Sequence, residues 1–214
     1  MDAGRIDVAG MREAYSDAGL AKGDLAEDWT TQFQLWLADA VAAGLPEPNA
    51  MVLGSADVDG RPSARTVLLK GYDSDGFVFF TNYDSQKGSE LTANPRASAV
   101  FPWIALARQV VVAGDVSVVR PDESEAYWSS RPRGSQLGAL ASPQSRPVTR
   151  SELDEARSVA DRAHPDDVPR PARWGGFRIA PRSVEFWQGR NDRLHDRLRF
   201  VLVEGSWTVL RIAP

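Results

Sequence analysis

An antiparallel β-barrel with helical additions is the fold class the sequence predicts. Short runs of β-branched and aromatic residues recur along the chain. Tight Asp/Gly turns, Asp57-Val58-Asp59-Gly60 and Asp73-Ser74-Asp75-Gly76, join such runs, as they do in antiparallel hairpins. Helical periodicity is confined to a few segments, and there is no internal repeat. Roughly six to eight strands with few helices argue a barrel over a parallel α/β sheet.

Residues 1–28 are polar and rich in Gly and Asp, apart from a short amphipathic stretch over 11–20. They read as a partly ordered arm ahead of one domain over 29–214. Asp28 or Thr30 caps a helix over 30–43, in which Phe33, Trp36, Leu37, Ala40 and Val41 fall at helical spacing. Gly44 and Pro46 stop it. A strand is expected at 50–56, one long strand over 63–72 and another at 77–81. A short helix over 86–93 ends at Asn94-Pro95. Strands at 97–103 and 109–119 lead to a helix that Pro121 opens and that runs to 130. Residues 131–149 are rich in Arg, Ser, Pro and Gln without a clear period, and are expected to form a long functional loop. A polar helix over 150–163 and a Pro/Asp linker over 164–173 precede strands at 175–180, 183–188, 198–204 and 207–212.

Composition narrows the function. The 214 residues are 43% hydrophobic and 25% charged, the balance of an ordinary globular protein. No apolar run approaches the roughly 18 residues of a membrane-spanning helix, and the opening segment lacks the basic and apolar regions of a secretory leader. With no cysteine there is no disulfide framework or thiolate nucleophile, which suits the cytoplasm. Two histidines are too few for a multi-histidine metal site, and no metal is expected. A net charge of −4 argues against a general nucleic-acid binder. Phosphate-loop, dinucleotide, nucleophile-elbow and zinc-protease motifs are all absent.

Four groups could carry chemistry. In Arg65-Thr66-Val67-Leu68-Leu69-Lys70, strand alternation puts Arg65 on one face and Thr66, Leu68 and Lys70 on the other; a core strand with charged ends would look the same. Thr81-Asn82-Tyr83-Asp84-Ser85-Gln86-Lys87-Gly88 runs from a strand end into a helix start. It is either a phosphate cradle or an ordinary helix capped by Ser85. The stretch 127–136 places Tyr127, Arg131, Arg133 and Ser135 close together, as an oxyanion site or a solvated basic turn. The stretch 187–197 joins Trp187 to Arg190, Arg193, Arg197 and His195.

Taken in order, these segments resemble the pyridoxamine 5′-phosphate oxidase family, also called pyridoxine 5′-phosphate oxidase. The residues that carry the resemblance are RTVLLK at 65–70, FTNYDSQKG at 80–88, FPW with RQV at 101–110 and SRPRGSQLGA at 130–139. QS at 144–145, EFWQGRNDRLHDR at 185–197 and the terminal RIAP complete the set. The resemblance spans about 29–214 and implies an antiparallel split β-barrel, a homodimer and FMN in clefts between subunits. It implies that Arg65 and Lys87 hold the FMN phosphate. The flavin would be lined by the backbone of Thr66, Val67, Leu68 and Leu69, and by Thr81, Gln109, Gln144, Ser145, Trp187 and Arg197. Lys70, Phe80 and Gln86 fall in the same cofactor-contacting stretches.

By the same resemblance, Lys70, Tyr127, Arg131 and Ser135 grip the substrate phosphate, and Leu194 lines the substrate. Arg193 and His195 act on the pyridine ring as the catalytic pair; in an extended segment both would point into one cleft. Arg12 and Tyr15 would belong to an arm that closes over the substrate. The implied reaction oxidises pyridoxamine or pyridoxine 5′-phosphate to pyridoxal 5′-phosphate with dioxygen, releasing hydrogen peroxide. Two alternatives are a related flavin oxidase of another reduced heterocycle, of the phenazine-precursor type, and a non-catalytic protein that binds FMN or pyridoxal phosphate. The sequence departs from the family's pattern at Gln86, commonly arginine, at Leu140, often tryptophan, and at Phe80, usually tyrosine.

Overall fold

The computed structural model describes Val8, Met11, Tyr15 and residues 19–214. Among these residues nine strands form one curled antiparallel sheet: β1 (Ala50–Ala56), β2 (Pro62–Leu68), β3 (Gly71–Asp73), β4 (Gly76–Asn82), β5 (Arg96–Trp103), β6 (Arg108–Val118), β7 (Trp174–Gln188), β8 (Asp196–Val203) and β9 (Ser206–Arg211). The path runs β2-β1-β5-β6-β7-β4-β3. Strand β7 divides it. One edge of β7 bonds β6 over residues 177–188, while the other is shared: 174–179 bonds β4 and 183–188 bonds β8. That shared edge splits the barrel.

Among the described residues five α-helices surround the sheet: α1 (Trp29–Ala42), α2 (Gln86–Ala93), α3 (Pro121–Ser130), α4 (Arg133–Ala141) and α5 (Arg150–Ala163). Asp28 caps α1 by accepting from Thr31 N–H at 2.9 Å. Phe33 of α1 packs against Phe77 at 5.0 Å and Phe101 at 4.9 Å in the main core. The buried face of α1 is Trp29, Gln32, Phe33, Trp36 and Ala40; Val41, expected on that face, is 59% exposed. A second core cluster, Trp128, Leu137, Ala160, Val168 and Trp174, ties α3, α4 and α5 to the start of β7. None of these helices is long and apolar enough to cross a membrane.

The nine strands exceed the expected total of roughly six to eight but equal in number the strand segments named above, and three expectations are corrected. The single strand over 63–72 is two strands. Leu69 N–H still donates to Asn49 O on the β1 side at 2.9 Å, but Lys70 N–H donates to Val78 O of β4 at 2.8 Å. The chain therefore crosses between sheet edges at Leu69-Lys70, a tertiary event that local alternation does not encode. Conversely, 175–180 and 183–188 are one strand. It passes Pro181 because β6 shifts register between Ala113 and Gly114. A Cβ on Gly114 would lie 2.0 Å from Ala180 O, so only glycine admits this approach. Finally, the loop over 131–149 contains α4. Its one fully buried apolar residue, Leu137, is too little to show a period, yet Arg133 fixes the helix by donating to Asp161 and to the carbonyls of Asp166 and His164.

Candidate active site

The β2–β3 crossing, the end of β4, the start of α2 and the α3–α4 corner enclose a cavity of about 670 Å³. Thr66, Val67, Leu68 and Lys70 form one wall, and Phe80, Thr81, Asn82 and Lys87 another. Tyr127, Arg131, Ser135, Gln144 and Trp174 close it. Thr66, Leu68 and Lys70 share the cavity as alternation predicts, although Val67 also reaches it. Phe80 stacks on Tyr127 at 4.1 Å and on Trp174 at 5.5 Å, making a flat aromatic floor. Gln144 Oε1 accepts from Thr81 Oγ1 at 3.2 Å and from Asn82 N–H at 3.3 Å, so a side chain from beyond α4 is drawn onto β4.

Two cations here lack matching anions. The Arg131 guanidinium lies over the rings of Trp128 and Trp174, 5.2 and 4.7 Å from their centroids. Its Nη1 is buried with no hydrogen-bond partner among the described residues. Burial lowers the Arg131 pKa, while Tyr127 acts the other way. Lys87 is 7% exposed, and its Nζ reaches Thr81 Oγ1 at 3.3 Å. Burial, then the charge of Arg65, push its pKa down, and Glu90 opposes them. Buried cations left short of negative charge favour an anion as ligand. With a hydroxyl-lined polar rim and an aromatic floor, the donor set fits a phosphorylated flat ring.

Other implied cofactor residues stand elsewhere. The Arg65 guanidinium does not line the cavity; it pairs with Glu90 at 3.2 Å and bonds Ser55 and Ser63. The Gln86 amide donates to Glu90 Oε1 at 2.9 Å. Leu69 is buried in the main core, and Ser145, at φ +70°, is exposed.

A second group gathers at the far end of β7. Gln109, Trp187 and Arg197 lie in one cross-strand row over β6, β7 and β8. The His195 ring sits 4.7 Å from Trp187 and 5.5 Å from Tyr15. Its Nδ1 accepts from Arg190 N–H at 3.1 Å, which leaves the proton of the neutral ring on Nε2. Gly189 admits the Tyr15 ring, which would approach a Cβ there to 2.8 Å. Arg12 lies outside the described residues. The extended geometry expected over 193–197 does not hold: Asn191–Arg193 is a 3₁₀ turn, with Asp192 at φ +55° and Arg193 at φ +63°. Arg193 and Leu194 are exposed, and simple alternation does not relate Arg193 to His195.

Two carboxylates not among the expected site residues anchor this end. Glu185, 4% exposed, bonds Arg197 at 2.8 Å and Arg199 at 2.5 Å. Asp196 accepts from Leu20 N–H at 2.9 Å and pairs with Arg190 and Arg211. Burial works to raise both pKa values, but these partners outweigh it and hold them below the usual carboxylate range. Alternating charge in EFWQG…HDRLR was the available signal for both.

The divided sheet and its cation-lined cleft define the class of the split β-barrel. The same fold, at a TM-score of 0.70 and 19% identity, occurs in a pyridoxamine 5′-phosphate oxidase-related, FMN-binding protein of Nostoc punctiforme; the alignment covers 85% of this chain and 97% of that one. Within the class, the chain belongs to the pyridoxamine 5′-phosphate oxidase family, which residues 37–187 match. Residues 174–214 match the C-terminal dimerisation region of pyridoxine 5′-phosphate oxidase. The pyridoxine/pyridoxamine 5′-phosphate oxidase of Salinispora arenicola is 62% identical, covering 98% of this chain and 97% of its own length. That of Synechocystis is 52% identical over 98% and 99%. PhzG of Burkholderia lata, solved with tetrahydrophenazine-1-carboxylic acid, superposes at a TM-score of 0.85 with 32% identity, over 90% of this chain and 95% of its own. The phenazine-type alternative therefore matches at lower identity than the vitamin oxidases.

Proposed function

We propose that the protein is an FMN-dependent oxidase that converts pyridoxamine 5′-phosphate and pyridoxine 5′-phosphate to pyridoxal 5′-phosphate. With the amine, substrate, dioxygen and water yield aldehyde, ammonia and hydrogen peroxide; with the alcohol, substrate and dioxygen yield aldehyde and hydrogen peroxide. The observation that carries this reading is the buried Nη1 of Arg131, without a hydrogen-bond partner among the described residues, beside Lys70, Tyr127 and Ser135 in one cavity. A phosphate dianion meets a guanidinium fork, an ammonium and two hydroxyls there, and fixes the substrate at a stated end.

Lys87, Thr81 and Gln144 would hold the cofactor, with the backbone of 66–69 beside its ring. When bound, FMN supplies the two-electron acceptor that dioxygen regenerates, so the chain needs neither nucleophile nor metal. His195 offers an Nε2 proton to a ring substituent. Arg193 would offset charge that develops on the pyridine ring.

The far group and the cavity occupy opposite ends of β7, a strand of 15 residues, or roughly 45 Å of extended chain. Both can serve one site only if the far group comes from a second copy. That supports a homodimer with composite sites, as does the match of residues 174–214 to a dimerisation region.

The test is dioxygen uptake by the flavin-loaded protein with pyridoxamine 5′-phosphate, pyridoxine 5′-phosphate and unphosphorylated pyridoxamine. Uptake with the two phosphates and far weaker uptake with the third is expected. A yellow protein inert toward all three would overturn the reading.

A further inference from the structure

We infer that Glu90 limits the positive charge that the flavin-phosphate end of the cavity presents, and fixes where Arg65 delivers it. The inference rests on the FMN reading above and adds a residue to it. Glu90 is 8% exposed. Its Oε2 accepts from Ser55 Oγ and Ser63 Oγ, both at 2.6 Å, and lies 3.2 Å from Arg65 Nη2. Its Oε1 accepts from the Gln86 amide at 2.9 Å. Groups from β1, β2 and α2 thus converge on one carboxylate.

Those hydrogen bonds and the Arg65 charge outweigh burial and hold Glu90 below the usual carboxylate range, so it is anionic at neutral pH. Lys87 stands three residues before it on the same helix and lines the cavity. Arg65, Lys87 and Glu90 together carry one net positive charge where the two cations alone would carry two.

A glutamine at this position would keep a carbonyl acceptor for both serines, and its NH2 would donate to Gln86 Oε1 once that amide turns over. The charge of Glu90 is therefore more than fold assembly demands. Its effect is to oppose an incoming phosphate while tethering Arg65 behind Lys87. Lys87 becomes the cation that meets the anion, and Arg65 acts from a fixed distance. Glu90 is a positioning residue, not a catalytic one.

The experiment titrates apoprotein with FMN and with riboflavin, which lacks the phosphate, and follows quenching of flavin fluorescence. The ratio of the riboflavin dissociation constant to that of FMN isolates the contribution of the phosphate. Glu90→Gln should raise that ratio about three- to thirtyfold, the range for removing one charge several ångströms away near a protein surface. Riboflavin affinity should stay within about twofold, and Glu90→Asp, which keeps the charge, should show no rise. Should Glu90→Gln fail to fold, Glu90→Ser removes the same charge with a smaller side chain and should raise the ratio likewise. If the wild-type protein prefers FMN but neither variant raises the ratio, the inference falls and the FMN reading stands. If the wild-type protein does not distinguish FMN from riboflavin, the FMN-phosphate reading falls and takes the inference with it.

Discussion

The two ends of β7 handle charge in opposite ways. At the Trp174 end, the half-buried Arg131, with its Nη1 buried, and the buried Lys87 are short of negative charge, and both line the cavity. At the Trp187 end, the cations with buried partners are satisfied: Arg197 and Arg199 by Glu185, Arg190 and Arg211 by Asp196. On the proposed reading the first end is a receptor, whose buried cations would be balanced by a bound anion. The second is already complete and holds a ring pair, Trp187 and His195, in fixed orientation. Preorganisation of that kind suits a group that must be inserted into another molecule's site.

Substitutions that treat the ends alike would break this contrast. The largest effect is expected at the receptor end. Arg131→Ala should lower kcat/KM for pyridoxamine 5′-phosphate by about 10²- to 10³-fold, as expected when one partner of a buried charge contact is truncated, with flavin retained. Steady-state kinetics and the visible spectrum together check this. Next comes Arg193→Ala, which should cost about 10²-fold in turnover without loss of flavin, the order for a lost electrostatic contact in the transition state. His195→Ala should cost less. A melting temperature that fell alongside activity would assign the histidine to structure.

Stability effects belong to the far end. Glu185→Ala leaves two half-buried guanidiniums without their anion and should cost ~1–3 kcal/mol, below the value for a fully buried pair because both arginines reach solvent. Calorimetry should show a drop of several degrees. The smallest effect is a pH dependence. Glu185 and Asp196 have lowered pKa values in the fold, so their stabilisation is complete above the unfolded values of 4.5 and 3.8. It is lost as pH falls through the lower folded values. Thermal stability should therefore decline on the acid side, and Asp196→Asn should flatten that decline.

Much of the receptor end was legible because its information is local. Alternation over 66–70 found the Thr66, Leu68 and Lys70 face, and Ser85 signalled the start of α2, accepting from Gly88 N–H at 3.3 Å. What escaped was long-range. Trp174 joins the aromatic floor through Phe80, across the sheet, and Glu90 meets Arg65 across two elements. The turn at 191–193 escaped for another reason. Left-handed backbone at Asp192 and Arg193 runs against what bulky side chains favour, and no glycine marks the spot.

Strand β7 also makes a genetic prediction. If each site takes its cavity from one copy and its Trp187 end from the other, defects at the two ends can be sorted onto different chains. A dimer of one Arg131→Ala protomer and one Arg193→Ala protomer has one site with both lesions and one with neither. Mixing two nearly inactive proteins should therefore restore up to half the wild-type activity per mixed dimer, whereas mixing either variant with itself restores none. Complementation between alleles of a single gene would then be written in the length of one strand.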